Sequence, residues 1–315
     1  MSVELAASPT RSVAILMATY NGECFLKEQL DSILEQSWDA WKLYVSDDGS
    51  CDATMSILLR YQEKFGSERF TIFAGPQKGF AQNFLSLIRR QEVQGDYYAF
   101  CDQDDIWHVD KLQKSLAVLS AIPADVPAIY CARTRLVDEL GRGIGFSPLF
   151  PRVPSFRNAL VQSVAGANTM TINGAAREIL ALIPESAEVV SHDWMAYLLI
   201  SGSGGQVFYD PEPTVDYRQH GANLIGSNSS LCDRLVRLRK MLHGTFRKWN
   251  DLNIGVLAMF RERLSADSMN ALDCFEAARD ASFFNRFFLL KRSGVYRQTR
   301  LGNIGLLVAS WLKRL

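Results

Sequence analysis

Three carboxylates fall within four positions at Asp102-Gln103-Asp104-Asp105. They follow Tyr97-Tyr98-Ala99-Phe100-Cys101, a short aromatic-rich apolar run that reads as a buried strand. Carboxylates packed this closely repel one another, and a cation or a set of hydrogen bonds must offset the repulsion. Hard divalent cations such as Mg²⁺ are usually held by one or two carboxylates together with the phosphate oxygens of a substrate. An Asp-x-Asp at the carboxyl end of a central strand is therefore a candidate metal–diphosphate site. A plainer reading has Asp104 or Asp105 capping a helix that begins near Ile106.

Two further polar clusters stand in equivalent places. Residues 12–19 (SVAILMAT) form an apolar run that stops at Tyr20-Asn21-Gly22, and residues 41–46 (WKLYVS) run into Asp47-Asp48-Gly49-Ser50. Short strands are also predicted at 70–73 and 128–132, with helical spacing over 25–36, 52–65, 80–90 and 109–119. Strand–helix alternation of this kind implies an α/β fold with parallel strands and helices on both faces. Ligands bind such sheets beyond the carboxyl ends of the strands, where all three clusters fall. The stretch to residue 230 is less regular. A helix over 175–183 stops at Pro184, His192-Asp193-Trp194 opens another, a strand covers 206–209, and Val215 to Gly221 ends this part.

Other chemistries lack their signatures. No GxGxxG follows the first strand, no GxxxxGK[ST] occurs and no GxSxG occurs, which argues against a dinucleotide-binding, P-loop or nucleophile-elbow enzyme. The six cysteines show no CxxC spacing, so a zinc site is not expected and a reduced compartment fits best. The 315 residues are 48% hydrophobic and 22% charged, enough for one large domain with an appendage. Charge is divided unevenly: residues 1–230 carry 18 Lys+Arg against 27 Asp+Glu, and residues 231–315 carry 16 against 7.

The order of motifs resembles the inverting family 2 glycosyltransferases of GT-A fold, particularly rhamnosyltransferase-like members. The resemblance rests on A-T-Y-N-G (18–22), S-D-D-G-S-x-D (46–52), F-C-D-Q-D-D-I-W (100–107), H-D-W (192–194) and Y-R-Q-H-G-A-N (217–223), and covers roughly residues 12–225. It implies a GT-A domain over 1–230, a Rossmann-like mostly parallel sheet flanked by helices, with a helical, basic C-terminal region over 231–315. It implies that Thr19, Tyr20 and Asn21 line the nucleotide pocket, with Lys78 nearby, and that Asp48 accepts the imide N–H of uracil or thymine. Asp102 is expected at the ribose and diphosphate, Asp104 at the metal (Mg²⁺ or Mn²⁺), and Asp105 turned away or capping the next helix. Asp193 matches the catalytic base, although its place at a helix start also suits a capping residue. Arg218 is expected to pair with a phosphate, and His220 to add a metal contact; a surface histidine is the alternative.

The implied activity is metal-dependent, inverting transfer of one sugar, rhamnose first, from a dTDP- or UDP-sugar to a hydroxyl of a lipid-linked or surface-polysaccharide acceptor. Processive relatives carry a Q-x-x-R-W motif that this chain lacks. A nucleotidyltransferase on a related sheet would carry a basic, Gly-rich signature after the first strand, and a non-catalytic nucleotide-sugar-binding scaffold would have lost its aspartates.

The C-terminal region is expected to meet an anionic surface. Residues 286–315 hold seven Lys+Arg and no acidic residue, interleaved with Phe287-Phe288-Leu289-Leu290 and an apolar run over 304–312. That run is too short to cross a bilayer but long enough to lie in its interface. Arg234, Arg237, Arg239, Lys240, Arg247 and Lys248 add a second basic cluster. With no secretory signal at the N-terminus, the expected location is cytoplasmic, peripheral on the inner face of the plasma membrane. A second copy of the chain is an alternative partner, and nucleic acid is not expected.

Overall fold

The computed structural model describes residues 11–221 and 244–315. Arg234, Arg237, Arg239 and Lys240, Cys232 and the last two residues of the Y-R-Q-H-G-A-N motif lie outside the described residues.

Continuous apolar runs, whose successive side chains point to opposite faces, create a sheet buried on both sides. The strands β1 (Val13–Thr19), β2 (Trp41–Asp47), β3 (Phe70–Ala74) and β4 (Tyr97–Cys101) are joined by β6 (Ala128–Ala132), β9 (Thr171–Asn173) and β10 (Gln206–Asp210). The order across the sheet is β10-β6-β9-β4-β1-β2-β3. On β1, Ala14 and Leu16 enter one core cluster while Val13, Ile15 and Met17 enter the other. Tyr98 and Phe100 of β4 share the first cluster, and Tyr97, Ala99 and Cys101 the second. Burial on both faces explains why these strands read as continuous apolar runs.

Helices α1 (Leu26–Leu34), α2 (Thr54–Phe65) and α4 (Lys111–Leu119) contribute to the second cluster, and α3 (Phe80–Arg89), α6 (Gly174–Ala181) and α7 (His192–Gly202) to the first. The strands are parallel except at β9, which runs antiparallel to both neighbours, β4 and β6. Asn173 explains how β9 ends. Its side-chain oxygen accepts from Ala176 N as the cap of α6 and from Ala128 N on β6, while its amide donates to Val126 O.

No helix begins near Ile106. Ile106–Trp107 is the short strand β5, paired antiparallel with Asp216 and Val215 of β11 (Val215–Arg218), and α4 starts only at Lys111. Together with β7 (Arg135–Val137) and β8 (Gly143–Phe146), these strands make a second sheet, β5-β11-β7-β8.

Beyond residue 244 the chain is helical, with α8 (Thr245–Met259), α9 (Ala266–Asp280), α10 (Phe283–Ser293) and α11 (Arg300–Trp311). Ser265 caps α9 by accepting from Ser268 N at 3.2 Å, and Thr299 caps α11 by accepting from Gly302 N at 3.0 Å. Val256, Leu257, Phe260, Leu272, Phe275, Leu290 and Leu306 belong to the same apolar cluster as α7 and β4. Each such fully buried side chain contributes about 1.5–3 kcal/mol. Among the described residues no helix is long and apolar enough to cross a membrane.

Candidate active site

Register places the three polar clusters side by side. Thr19 at the end of β1 lies opposite Asp47 of β2, and Met17 lies opposite Cys101 of β4. The Thr19 side chain is buried and donates to Asp47 Oδ2 at 2.8 Å. It therefore braces the β2 turn, where the motif had suggested a pocket-lining residue. Asp47 also accepts from Ser50 N at 2.8 Å and Ser50 Oγ at 2.6 Å. Asn21, at a left-handed φ of 47°, accepts from Cys51 N at 2.9 Å, and the Tyr20 side chain next to it is exposed.

Asp48 holds the third loop. Its two oxygens accept from Gln77 N at 2.6 Å and Gly79 N at 2.9 Å, which fixes the entry to α3. Gly75 passes so close beneath that a Cβ there would sit 2.7 Å from Asp48 Oδ1 and 2.8 Å from the Asp47 carbonyl oxygen. Lys78 is exposed at this turn and borders an open cleft with Gln82, Glu185, Ser186, Glu188 and Leu252.

The acidic motif divides into three environments. Asp102 is partly buried and makes no side-chain hydrogen bond among the described residues. Burial first, then the charges of Asp104 and Asp193, push its carboxyl up to about 8. Asp193, in the first turn of α7, is thus within electrostatic reach of the strand end although 91 residues separate the two in sequence. Asp193 Oδ1 accepts from Trp194 N at 2.7 Å. Asp104 Oδ2 meets His220 Nε2 at 2.8 Å.

Asp105 caps no helix; it turns into the protein interior. It is fully buried, accepts from Asn168 Nδ2 at 2.8 Å and from Arg218 N at 3.2 Å, and is raised well above the usual carboxylate range by burial and by Asp104 and Asp102.

Among the described residues no three His, Cys, Asp or Glu side chains converge tightly enough to hold a metal by themselves. Asp104 and His220 supply one oxygen and one nitrogen at hydrogen-bonding distance, and the Asp102 carboxyl lies within reach of like charges. This donor set suits a cation whose remaining positions are filled by a substrate's phosphates.

Residues 14–158 match the family model for glycosyl transferase family 2. The dTDP-rhamnosyl transferase RfbG of Shigella flexneri is 30% identical over 241 residues, which cover 74% of this chain and 81% of that protein.

The chain belongs to glycosyltransferase family 2.

A shorter match, 29% identical over 110 residues, covers 34% of the chain and 40% of an Escherichia coli UDP-Glc:alpha-D-GlcNAc-diphosphoundecaprenol beta-1,3-glucosyltransferase, WfgD. Among solved structures, S. aureus TarS 1-349 in complex with UDP-GlcNAc superposes with a TM-score of 0.53 at 15% identity, covering 90% of this chain and 93% of that one. The Pyrobaculum calidifontis mannosyltransferase PcManGT, in complex with GDP-Man and Mn2+, gives 0.51 at 17% identity, covering 99% and 88%. These structures establish a GT-A fold for this glycosyltransferase.

Arg218 departs from its expected role in the glycosyltransferase. Its side chain is fully buried, and its guanidinium donates to Asp104 O at 3.1 Å, Glu139 O at 2.7 Å and Glu28 Oε2 at 2.6 Å, above the Phe25 ring. It fastens the backbone of Asp104, and a phosphate has no access to it.

Two residues of the site were not singled out from sequence. Gln103, the variable position of the acidic motif, donates to Tyr20 O at 3.1 Å and accepts from Tyr20 N at 2.9 Å, tying β4 to β1. Gly22 leaves room for it, since a Cβ there would lie 2.4 Å from Gln103 Oε1. The sequence signal for Gln103 was a polar residue at x in Asp-x-Asp, and that for Gly22 its place in the turn after the first apolar run.

Proposed function

We propose that the protein is a metal-dependent, inverting glycosyltransferase that adds a single sugar, rhamnose first, from a dTDP- or UDP-sugar to a hydroxyl of a lipid-linked or surface-polysaccharide acceptor. The supporting observation is the cluster in which Asp102 and Asp104 follow β4, His220 meets Asp104 at 2.8 Å, and Asp193 at the start of α7 lies near enough that its charge, with that of Asp104, raises the proton affinity of Asp102.

The roles rest on the family resemblance and on where each residue lies. Tyr20 and Asn21 border the nucleotide site at its exposed rim. Asp48 offers the remaining lone pairs of its carboxylate to the pyrimidine imide N–H. Asp104 and His220 would hold a Mg²⁺ or Mn²⁺ ion, with the Asp102 carboxylate on the same strand end. When bound, the cation supplies positive charge that stabilises the leaving diphosphate. Asp193, with Oδ1 occupied by Trp194 N–H, has Oδ2 to take the proton of the acceptor hydroxyl. The acceptor oxygen then bonds the anomeric carbon as the bond from that carbon to the diphosphate oxygen breaks. One displacement inverts the configuration. The RfbG and WfgD relatives, named for a dTDP-rhamnosyl and a UDP-glucosyl donor, favour a pyrimidine nucleotide.

A donor screen tests this reading. Purified protein with Mn²⁺ or Mg²⁺ is titrated with dTDP-rhamnose, UDP-glucose, UDP-GlcNAc and GDP-mannose, and slow donor hydrolysis is followed. Binding and hydrolysis of a dTDP- or UDP-sugar, lost on chelation, is the expected result. Turnover of GDP-mannose alone, or activity that survives EDTA, overturns it.

A further inference from the structure

Helix α10 is turned inside out for a water-facing helix. Its buried positions are Arg286, Leu290 and Ser293, whereas Phe283, Phe284, Phe287 and Phe288 are exposed, Phe284 by 84%. An amphipathic surface helix normally does the reverse. The inversion is fixed by Arg286, whose guanidinium donates to the carbonyls of Ala278, Ala281 and Ser310 at 3.1, 2.6 and 2.9 Å. These bonds pin α10 to the end of α9 and to α11 and leave its aromatic face outward.

Helix α11 continues the pattern. Leu306, Ala309 and Ser310 are buried, while Leu301, Ile304, Leu307 and Trp311 are exposed at helical spacing. Basic residues accompany both apolar faces: Lys291, Arg292, Arg300, Lys313 and Arg314 are all exposed. Residues 281–315 contain no Asp or Glu. Exposed aromatic clusters of this size mark an interaction surface.

We infer that α10 and α11 form a docking face for an anionic lipid bilayer. Charge complementarity selects this occupant. An aromatic and aliphatic face enters the boundary between headgroups and acyl chains, and the exposed Lys and Arg side chains beside it meet the lipid phosphates. A second copy of this chain would bring like charge against like charge across a two-fold contact. The face lies on helices packed against the core that also holds α7, the helix bearing Asp193, so docking brings the catalytic domain to the plane in which a lipid-linked acceptor would lie.

Sedimentation of the full chain with phosphatidylcholine vesicles, with and without phosphatidylglycerol, tests the inference. No donor or acceptor enters this measurement, so its failure is separate from failure of the proposed sugar transfer. The full chain is expected to pellet with phosphatidylglycerol vesicles at low salt and to be released at high salt. Lys291→Glu with Arg292→Glu should lower partitioning by at least roughly fivefold per residue. Phe284→Ser with Phe288→Ser should abolish it while leaving the thermal melt unchanged, because both rings are exposed. Equal binding to uncharged vesicles overturns the electrostatic part. Failure of the wild-type chain to bind either vesicle overturns the whole, and self-association lost in the Phe variant then assigns the face to a second copy.

Discussion

Asp104 and His220, 116 residues apart in the chain, meet side chain to side chain at 2.8 Å. The small sheet makes this contact: β5 follows Asp105, β11 precedes His220, and the two strands pair through Ile106 and Asp216. The oxygen and nitrogen of the pair are both needed for the proposed cation.

Asp104→Asn is expected to reduce transfer by about 10³-fold or more, since it removes the charge that stabilises the metal at the leaving group. His220→Ala should be milder and should raise the Mn²⁺ concentration for half-maximal activity by roughly 10–100-fold. Metal titrations of both variants check this. An unchanged metal requirement in His220→Ala would make the histidine a partner of Asp104 only.

Asp193→Asn should lower kcat by roughly 10²–10⁴-fold with donor affinity unchanged, because a general base acts on the acceptor. Calorimetric titration with donor nucleotide separates the two effects. Loss of donor binding would place Asp193 on the wrong side of the reaction for a base.

Arg218→Met should destabilise the fold by on the order of 3 kcal/mol, since the Asp104 and Glu139 carbonyls lose a buried donor. Arg218→Lys should recover little of this, because an ammonium cannot span three acceptors held in a fixed fork. Urea unfolding of the three proteins reads the loss. A variant of wild-type stability that had lost only nucleotide affinity would return Arg218 to the phosphate.

His192 gives a pH dependence. Its ring is stacked against Phe84 at 4.1 Å, lies near Phe100, and neither nitrogen has a hydrogen-bond partner among the described residues. Burial pushes its pKa down to about 4. The unfolded chain therefore binds a proton that the native state refuses between about pH 6.5 and 4. Stability from this group is complete above about 6.5 and falls with pH through that window, by about 3 kcal/mol in all. His192→Leu should flatten the profile; an equally steep decline in that variant would assign the acid sensitivity to other groups.

Gly22→Ala should displace Gln103 from Tyr20, because the new methyl occupies the place of a flexible amide. The cost to the fold should be small, under about 1 kcal/mol. Donor KM should rise because the β1 turn loses its tie to β4. Unchanged donor KM with Gln103 displaced would show that the tie does not shape the nucleotide site.

Much of this site was legible because strand ends announce themselves. Apolar runs stop abruptly at Tyr20, Asp47 and Asp102, and sheet topology brings such ends together. What could not be read depended on partners distant in the chain. A two-residue strand such as Ile106–Trp107 has no periodicity, so its flanking acids passed for helix caps. Arg218 was judged by its charge, whereas its burial depends on Glu28, Glu139 and Phe25 from two other segments. Asp105 likewise needed Asn168, from an irregular stretch, to appear as a buried acceptor. In α10 the composition indicated both basic and aromatic character, but not that the arginine faces inward.

The short antiparallel strand β9 has a consequence for how the protein is made. β3, β2, β1 and β4 adjoin one another and all lie before residue 102, so they can pair while the remainder is still being synthesised. β6 has no neighbour among them. It joins only through Thr171–Asn173, and β10 joins through β6. A nascent chain halted before residue 171 would therefore hold the nucleotide-side turns already formed, with the far side of the sheet still waiting for its three-residue seam.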